Sequence, residues 1–193
     1  RTEFLPDDPV AFVADQLDAL ADAPIRPGVN VRTTGLDPLR AVAHVCVEHD
    51  AIVEINAHCR QAEMCAAGAG EALLADTERL CEQVAAAAAT GAAVSVKCRT
   101  EVAGVDLPAT ARAVADAGAD AVHVDAMDSE PVVREVADAC DAFLIANNGV
   151  RDAATVREYL AHGADAVSVG RPSDDPRVLA RIHDALAGRE AEA

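Results

Sequence analysis

Short apolar strands alternate with alanine-rich helical segments along almost the whole chain, and this alternation constrains the fold more than any other feature. Three strands follow related sequences, "AGADAVHV", "ADACDAFLI" and "HGADAVSV", in which a helix ends at a small residue before a short turn. Strands are predicted near residues 25–33, 51–57, 93–99, 121–126, 142–148 and 166–171. Helices are predicted near residues 8–22, 37–49, 71–90, 107–117, 130–139, 152–162 and 174–187.

This alternation predicts a parallel sheet with right-handed crossovers, either a (β/α)₈ barrel or an open doubly wound sheet. The glycine-rich turn with which an open sheet binds a dinucleotide does not follow the first strand, "VNVRT". Polar residues instead occupy the carboxyl ends of the strands, where a barrel builds its active site. These residues are Asn30, Arg32, Asn56, Lys97, Arg99, Asp125, Asn147, Asn148 and Arg171. We therefore predict an α/β fold of the (β/α)₈ TIM-barrel type.

The number of predicted strands is six, whereas a closed barrel of this type has eight. The first residue is Arg1 rather than Met. We therefore expect residues 1–193 to form a single domain that contains barrel strands three to eight, with the N-terminal βα units missing.

The composition predicts an acidic surface, because the net charge is −17 and Lys97 is the single lysine. We expect a halophilic protein from a salt-loaded cytoplasm, and its charge disfavours binding to nucleic-acid phosphates. No apolar run reaches the roughly 18 residues of a membrane span, and no secretory signal is recognisable. The six cysteines include no CxxC pair and are expected to be reduced, as in a cytoplasmic protein.

Two loops near the C-terminus have the pattern of a phosphate site. "IANNGV" (145–150) and "VGRPS" (169–173) each place a glycine after a strand and before a helix. The loops that follow the last two barrel strands commonly bind phosphate through backbone N–H groups. We predict that Gly149, Gly170 and Arg171 hold a phosphate, the alternative being that these glycines only turn the chain.

The segment 54–74, "EINAHCRQAEMCAAGAGEALL", contains a candidate reactive thiol. Cys59 follows a strand end and lies between His58 and Arg60, and cationic neighbours favour the nucleophilic thiolate form. The alternatives are a surface cysteine, a buried structural cysteine, or half of a metal site formed by His58, Cys59 and Cys65. No metal is predicted, because the sequence offers no second cluster of Cys or His ligands.

Taken in order, Asn-x-x-Cys at 56–59, "VSVKCR", "GADAVHV", "IANNG" and "GADAVSVGRP" resemble the dihydrouridine synthases. These enzymes are FMN-dependent (β/α)₈ barrels related to dihydroorotate dehydrogenase, and the resemblance covers about residues 25–175. It implies an FMN-dependent oxidoreductase, reduced by NAD(P)H, that acts on a uracil-containing substrate. Transfer RNA is the family's substrate, and the family carries a helical RNA-binding domain after the barrel. We expect no such domain here, and the sequence offers no basic stripe or aromatic platform for RNA.

The resemblance also implies catalytic roles for individual residues. Cys59 would protonate C5 of the uracil ring while hydride from the flavin reaches C6, and Asn56 would orient flavin and substrate. Lys97 would stabilise negative charge near flavin N1 and O2. A compact ammonium is not interchangeable with the planar guanidinium of arginine, which would explain why a lysine stands here. The implied FMN-binding residues are Asn30, Asn56, Lys97, Asn148, Gly149, Gly170 and Arg171. The implied substrate-binding residues are Asn56, His58, Arg60, Arg99 and Asp125.

Several residues depart from the family pattern. His58 and Arg60 replace the Gly and Pro that flank the family cysteine. Asp125 and Met127 stand where the family has His-x-Arg, and His123 is expected to point into the barrel. Two other functions therefore stay open. One is a flavin-free, phosphate-binding lyase or isomerase that uses Lys97 as an electrophile or Schiff base, and the other is a non-catalytic degenerate barrel.

Overall fold

The computed structural model describes residues 6–190, with side-chain surroundings up to residue 187. Both ends of the predicted domain, Arg1 and Ala193, lie outside the described residues. Each strand is separated from the next by one helix, except that three helices lie between the second and third strands. The helices are α1 (Pro9–Asp18), α2 (Leu36–Glu48), α3 (Ala62–Ala66), α4 (Glu71–Leu74), α5 (Thr77–Ala88), α6 (Leu107–Asp116), α7 (Val132–Ala137), α8 (Ala153–Ala161) and α9 (Pro176–Glu190). The strands are β1 (Gly28–Val31), β2 (Ile52–Asn56), β3 (Ala93–Arg99), β4 (Ala121–Asp125), β5 (Phe143–Asn147) and β6 (Ala166–Ser168).

The six strands form one parallel sheet in which each strand pairs with the next strand along the chain, in the order β1-β2-β3-β4-β5-β6. A doubly wound sheet would reverse its strand order at a switch point, and a barrel does not. Crossovers between parallel strands are right-handed as a rule, so this strand order places the helices on one face of the sheet, where consecutive helices such as α5 and α6 pack against each other. The described residues therefore have the architecture of consecutive βα units of a TIM barrel, as predicted.

The strand registers separate the sheet into an apolar and a polar face. Every second residue belongs to the buried core that the helices cover, as Val53, Val94 and Val122 do. The residues between them lie on the other face, and the polar ones among them form what we call the polar face: Asn30, Glu54, Asn56, Ser95, Lys97, Arg99, His123, Asp125, Asn147 and Ser168. Polar side chains on one face of a parallel sheet are unusual, because such sheets are normally apolar on both faces.

Local sequence explains where the elements begin and end. The predicted helix 71–90 is two helices, because the Asp76 side chain caps α5 by accepting a hydrogen bond from the Arg79 backbone. The predicted strand 166–171 ends at Ser168, and residues 171–174 form a 3₁₀ turn. Helix α3 was not predicted. Among residues 6–190, no helix is both long and apolar enough to cross a membrane.

Candidate functional site

The site is built around Asn56, the last residue of β2, which is 4 % exposed. Its Oδ1 accepts hydrogen bonds from the backbone N–H groups of His58 (3.2 Å) and Cys59 (2.9 Å). Its Nδ2 donates to Oδ1 of Asn30 on β1 at 2.8 Å. Asn56 therefore fixes the turn that carries Cys59, so the structure brings together two residues that the sequence singled out.

A half-buried carboxylate, that of Glu54, continues this network. Glu54 Oε1 accepts from Nδ2 of Asn30 at 2.7 Å, and Glu54 Oε2 accepts from Ser95 Oγ at 3.2 Å and contacts Nδ1 of His123 at 2.8 Å. Burial raises the pKa of Glu54, but the hydrogen bond and charge of His123, the Asn30 amide and the charge of Lys97 outweigh it. The pKa of Glu54 is lowered to about 2 as a result, so the carboxylate is ionised at neutral pH.

His123 lies on the polar face, which is the inward orientation predicted for it, and it is 7 % exposed. Its Nε2 is buried and has no hydrogen-bond partner among the described residues. Glu54 is not among the site residues predicted from the sequence. A charged residue between Val53 and Ile55 in a buried strand was the available signal, because strand alternation places Glu54 on the same face as Asn56.

The loop after β2 is held from its other end by α4. The Glu71 backbone N–H donates to the Cys59 carbonyl oxygen at 2.9 Å, and the Cys65 thiol lies 3.5 Å from the same oxygen. Gly70 has a φ of 61°, and a Cβ there would come within 2.4 Å of the Cys59 oxygen. Only glycine fits this close approach without displacing the loop.

The two basic neighbours of Cys59 are directed toward carboxylates. His58 Nε2 lies 3.2 Å from Oδ2 of Asp125, and Arg60 Nε lies 3.5 Å from Oε2 of Glu71. Burial raises the pKa of Asp125, but the hydrogen bond and charge of His58, the Met127 backbone N–H and the charge of Lys97 give a net lowering of this pKa. Two of the residues that depart from the family pattern, His58 and Asp125, thus contact each other.

Lys97 lies on β3, in register with Asn56 on one side and His123 on the other. Its ammonium forms no ion pair or side-chain hydrogen bond with residues 6–187, although its charge lowers the pKa of two nearby carboxyl groups. This half-buried cation is therefore free to contact a ligand. Arg99 differs, because it is 6 % exposed and directed toward Glu71 at 3.5 Å and the Thr100 carbonyl.

The predicted phosphate loops follow β5 and β6. Asn148 (φ 95°) and Gly149 (φ 66°) have left-handed backbones, and the Tyr159 hydroxyl donates to the Asn148 carbonyl at 2.8 Å. Burial chiefly raises the pKa of Tyr159, to about 12, so this donor stays protonated. Gly170 and Arg171 are exposed, and a Cβ at Gly170 would meet nothing within 4 Å. A phosphate oxygen can therefore approach this backbone closely.

Groups of three or more His, Cys, Asp or Glu side chains that could hold a metal are not found in the described part of the chain. All six cysteines are free thiols.

Comparisons with known structures support the fold. FabK from Thermotoga maritima is 21 % identical with a TM-score of 0.58, over 86 % of this chain and 48 % of that one. A 2,3-dimethylmalate lyase is 16 % identical with a TM-score of 0.61, over 94 % of this chain and 67 % of that one. The tryptophan synthase complex of Pyrococcus furiosus contains a chain that is 10 % identical with a TM-score of 0.60, over 92 % of this chain and 72 % of that one. At these identities the similarity concerns the fold, and the chain spans about half the length of FabK.

The comparison with curated protein sequences finds no match. A family model described as dihydrouridine synthase matches residues 29–193, which include the whole polar face. This match covers most of the sequence, and the chain therefore belongs to the dihydrouridine synthase family.

Proposed function

We propose that the protein is an FMN-dependent oxidoreductase that reduces the C5=C6 bond of a uracil-like ring. The observation that carries the proposal is that three kinds of group lie at or follow the carboxyl ends of the strands: the Lys97 ammonium, which pairs with no side chain among residues 6–187, the Cys59 thiol, and the two open loops after β5 and β6. The family to which the chain belongs supports the same chemistry.

The residues present fit a flavin mononucleotide. A reduced flavin is anionic, and Lys97 offers a cation that no side chain among residues 6–187 neutralises by direct contact. The left-handed turn at Asn148 and Gly149 and the open backbone at Gly170, next to Arg171, suit a phosphate. Asn30 and Asn56 would contribute mainly through the loop that they hold, because they hydrogen-bond to each other.

Bound FMN would supply the hydride for the ring carbon C6. Cys59 would give the proton to C5, and the Asn56 carboxamide would hold the Cys59 loop in place during that transfer. Lys97 would stabilise negative charge through its ammonium. Asp125 would orient His58 beside the thiol, and Glu71 would keep Arg60 and Arg99 at the rim.

The substrate we propose is a uracil-containing molecule, and NAD(P)H is the proposed reductant. The acidic composition favours a free pyrimidine or nucleoside over transfer RNA, because the net charge of −17 repels a phosphate backbone. Molar salt would screen that repulsion, and in a halophilic cytoplasm transfer RNA would remain a substrate.

The first test is the visible absorption spectrum of the purified protein in concentrated KCl, before and after FMN is added. We expect flavin bands, bleaching by NADPH or NADH, and recovery of colour with either uracil compounds or a uridine-containing transcript. The two acceptors, compared at low and high salt, distinguish a small substrate from RNA. A colourless protein that does not bind added FMN would contradict the proposal.

Variants test the two catalytic assignments separately. Cys59→Ala should retain the flavin bands and slow re-oxidation by the uracil compound by at least about 100-fold, the usual contribution of a general acid. Lys97→Met should weaken FMN binding as well as slow the reaction. If Cys59→Ala retains full turnover, the thiol is not the proton donor. Trapping of Lys97 by borohydride with a sugar phosphate would instead favour a lyase.

A further inference from the structure

The polar face contains a chain of hydrogen bonds whose direction is fixed by donor and acceptor chemistry. Oδ1 of Asn56 faces two backbone N–H donors, those of His58 and Cys59, so the Nδ2 of Asn56 must face Asn30. Asn30 then accepts through Oδ1 and donates through Nδ2, which requires an acceptor at Glu54. Each bond in this series sets the orientation of the next amide.

Glu54 is the end of this series and can act only as an acceptor when ionised. Its second oxygen accepts from Ser95 and His123, which lie on β3 and β4. The carboxylate therefore joins four strands, and it transmits their positions to the Cys59 loop through the two asparagines. If Glu54 lost its acceptor oxygen, Asn30 would lose the partner of its Nδ2 and could rotate away from Asn56. Asn56 would then hold the two backbone N–H groups of the loop less firmly.

We infer that Glu54 is a positioning residue: it fixes the orientation of Asn56 through Asn30 and thereby holds Cys59 in place for proton transfer. The inference deepens the proposed function and rests on it only for the role of Cys59. The Glu54 side chain is half-buried, with both oxygens engaged by Asn30, Ser95 and His123, and it is not proposed to touch the substrate. Neither Glu54 nor His123 is among the residues to which the family resemblance assigns a role.

Two variants that remove the same charge separate positioning from electrostatics. Glu54→Gln can still present a carbonyl oxygen to Asn30 and its NH₂ group to Ser95, so the series remains complete. Glu54→Leu presents no acceptor, so Asn30 loses its partner. A third variant, Asn30→Ala, interrupts the series at an exposed residue of β1 and should fold even if Glu54→Leu does not.

The measurement is the rate of Cys59 alkylation by iodoacetamide, followed by mass spectrometry without flavin and without turnover. The rate at Cys81 on α5 serves as an internal standard. We expect Glu54→Leu and Asn30→Ala to react about tenfold faster at Cys59 than the parent protein, since each releases hydrogen bonds that hold the half-buried thiol. Glu54→Gln should react within about twofold of the parent.

Ser95→Ala is the matched control, because it removes a hydrogen bond to Glu54 that lies outside the series. It should leave the Cys59 rate within about twofold of the parent protein. Equal rates in Glu54→Leu and Glu54→Gln, or an unchanged rate in Asn30→Ala, would overturn the inference. Because the assay contains no flavin and no substrate, it can fail while the proposed reaction stands, and it can succeed if the reaction proves to be another.

Discussion

Glu54 offers a quantitative test of the polar face through the pH dependence of folding. The carboxylate is partnered by His123 at 2.8 Å and Asn30 at 2.7 Å, and its pKa falls from 4.5 to about 2 in the folded protein. A carboxyl group with a lowered folded pKa stabilises the protein above its unfolded pKa, and this contribution is lost as the pH falls toward the folded pKa. The loss is therefore expected between about pH 4.5 and about pH 2.

The magnitude follows from the difference between the two pKa values. At about 1.4 kcal/mol for each tenfold change, a fall from 4.5 to about 2 corresponds to about 3 kcal/mol at neutral pH. Roughly 2 kcal/mol of this contribution would be lost between about pH 7 and about pH 3. In Glu54→Gln, which cannot ionise, this part of the pH dependence should be missing.

The assay is urea unfolding followed by circular dichroism, at several pH values and constant ionic strength. The difference in free energy of unfolding between the parent protein and Glu54→Gln should shrink by roughly 2 kcal/mol from about pH 7 to about pH 3. Glu82→Gln, at an exposed position of α5, is the control and should change stability by less than about 0.5 kcal/mol. A difference that does not vary with pH would refute the argument that His123 and Asn30 hold Glu54 ionised.

Two further predictions concern the loops at the rim of the sheet. Gly70→Ala should destabilise the protein by about 1–3 kcal/mol in urea unfolding, because its Cβ would lie 2.4 Å from the Cys59 oxygen at a φ of 61°. Gly104→Ala, with a φ of 79° but no atom within 4 Å, should cost less, and equal costs would show that the close contact is unimportant. Tyr159→Phe removes the donor to the Asn148 carbonyl and should cost about 1 kcal/mol, whereas unchanged stability would mean that this hydrogen bond does not hold the loop.

Local sequence was sufficient for the elements and for part of the site. The strands end within a few residues of the predicted positions, and the phosphate-loop glycines follow β5 and β6 as expected. The prediction that His123 points inward is confirmed, because strand alternation places it opposite its apolar neighbours. The boundaries were less accurate where a side chain decided them, as Asp76 does by capping α5 inside a predicted continuous helix.

The partners of the site residues could not be predicted in the same way. Arg99 was expected to bind substrate, and the structure places it, buried, against Glu71. Arg60 is directed toward the same carboxylate. The roles implied for these residues stay predictions, but their contacts favour holding the Cys59 loop over binding a ligand directly.

The sequence by itself determined that strands and helices alternate, which faces are apolar, and which residue types stand at the strand ends. Those properties depend on neighbours a few residues apart and on a repeat of two residues in strands and 3.6 residues in helices. Only the tertiary structure decided that Glu54 meets His123, 69 residues further along the chain. Strand register sets that contact, and register depends on how all six strands pack against their helices at once, so no local pattern contains it.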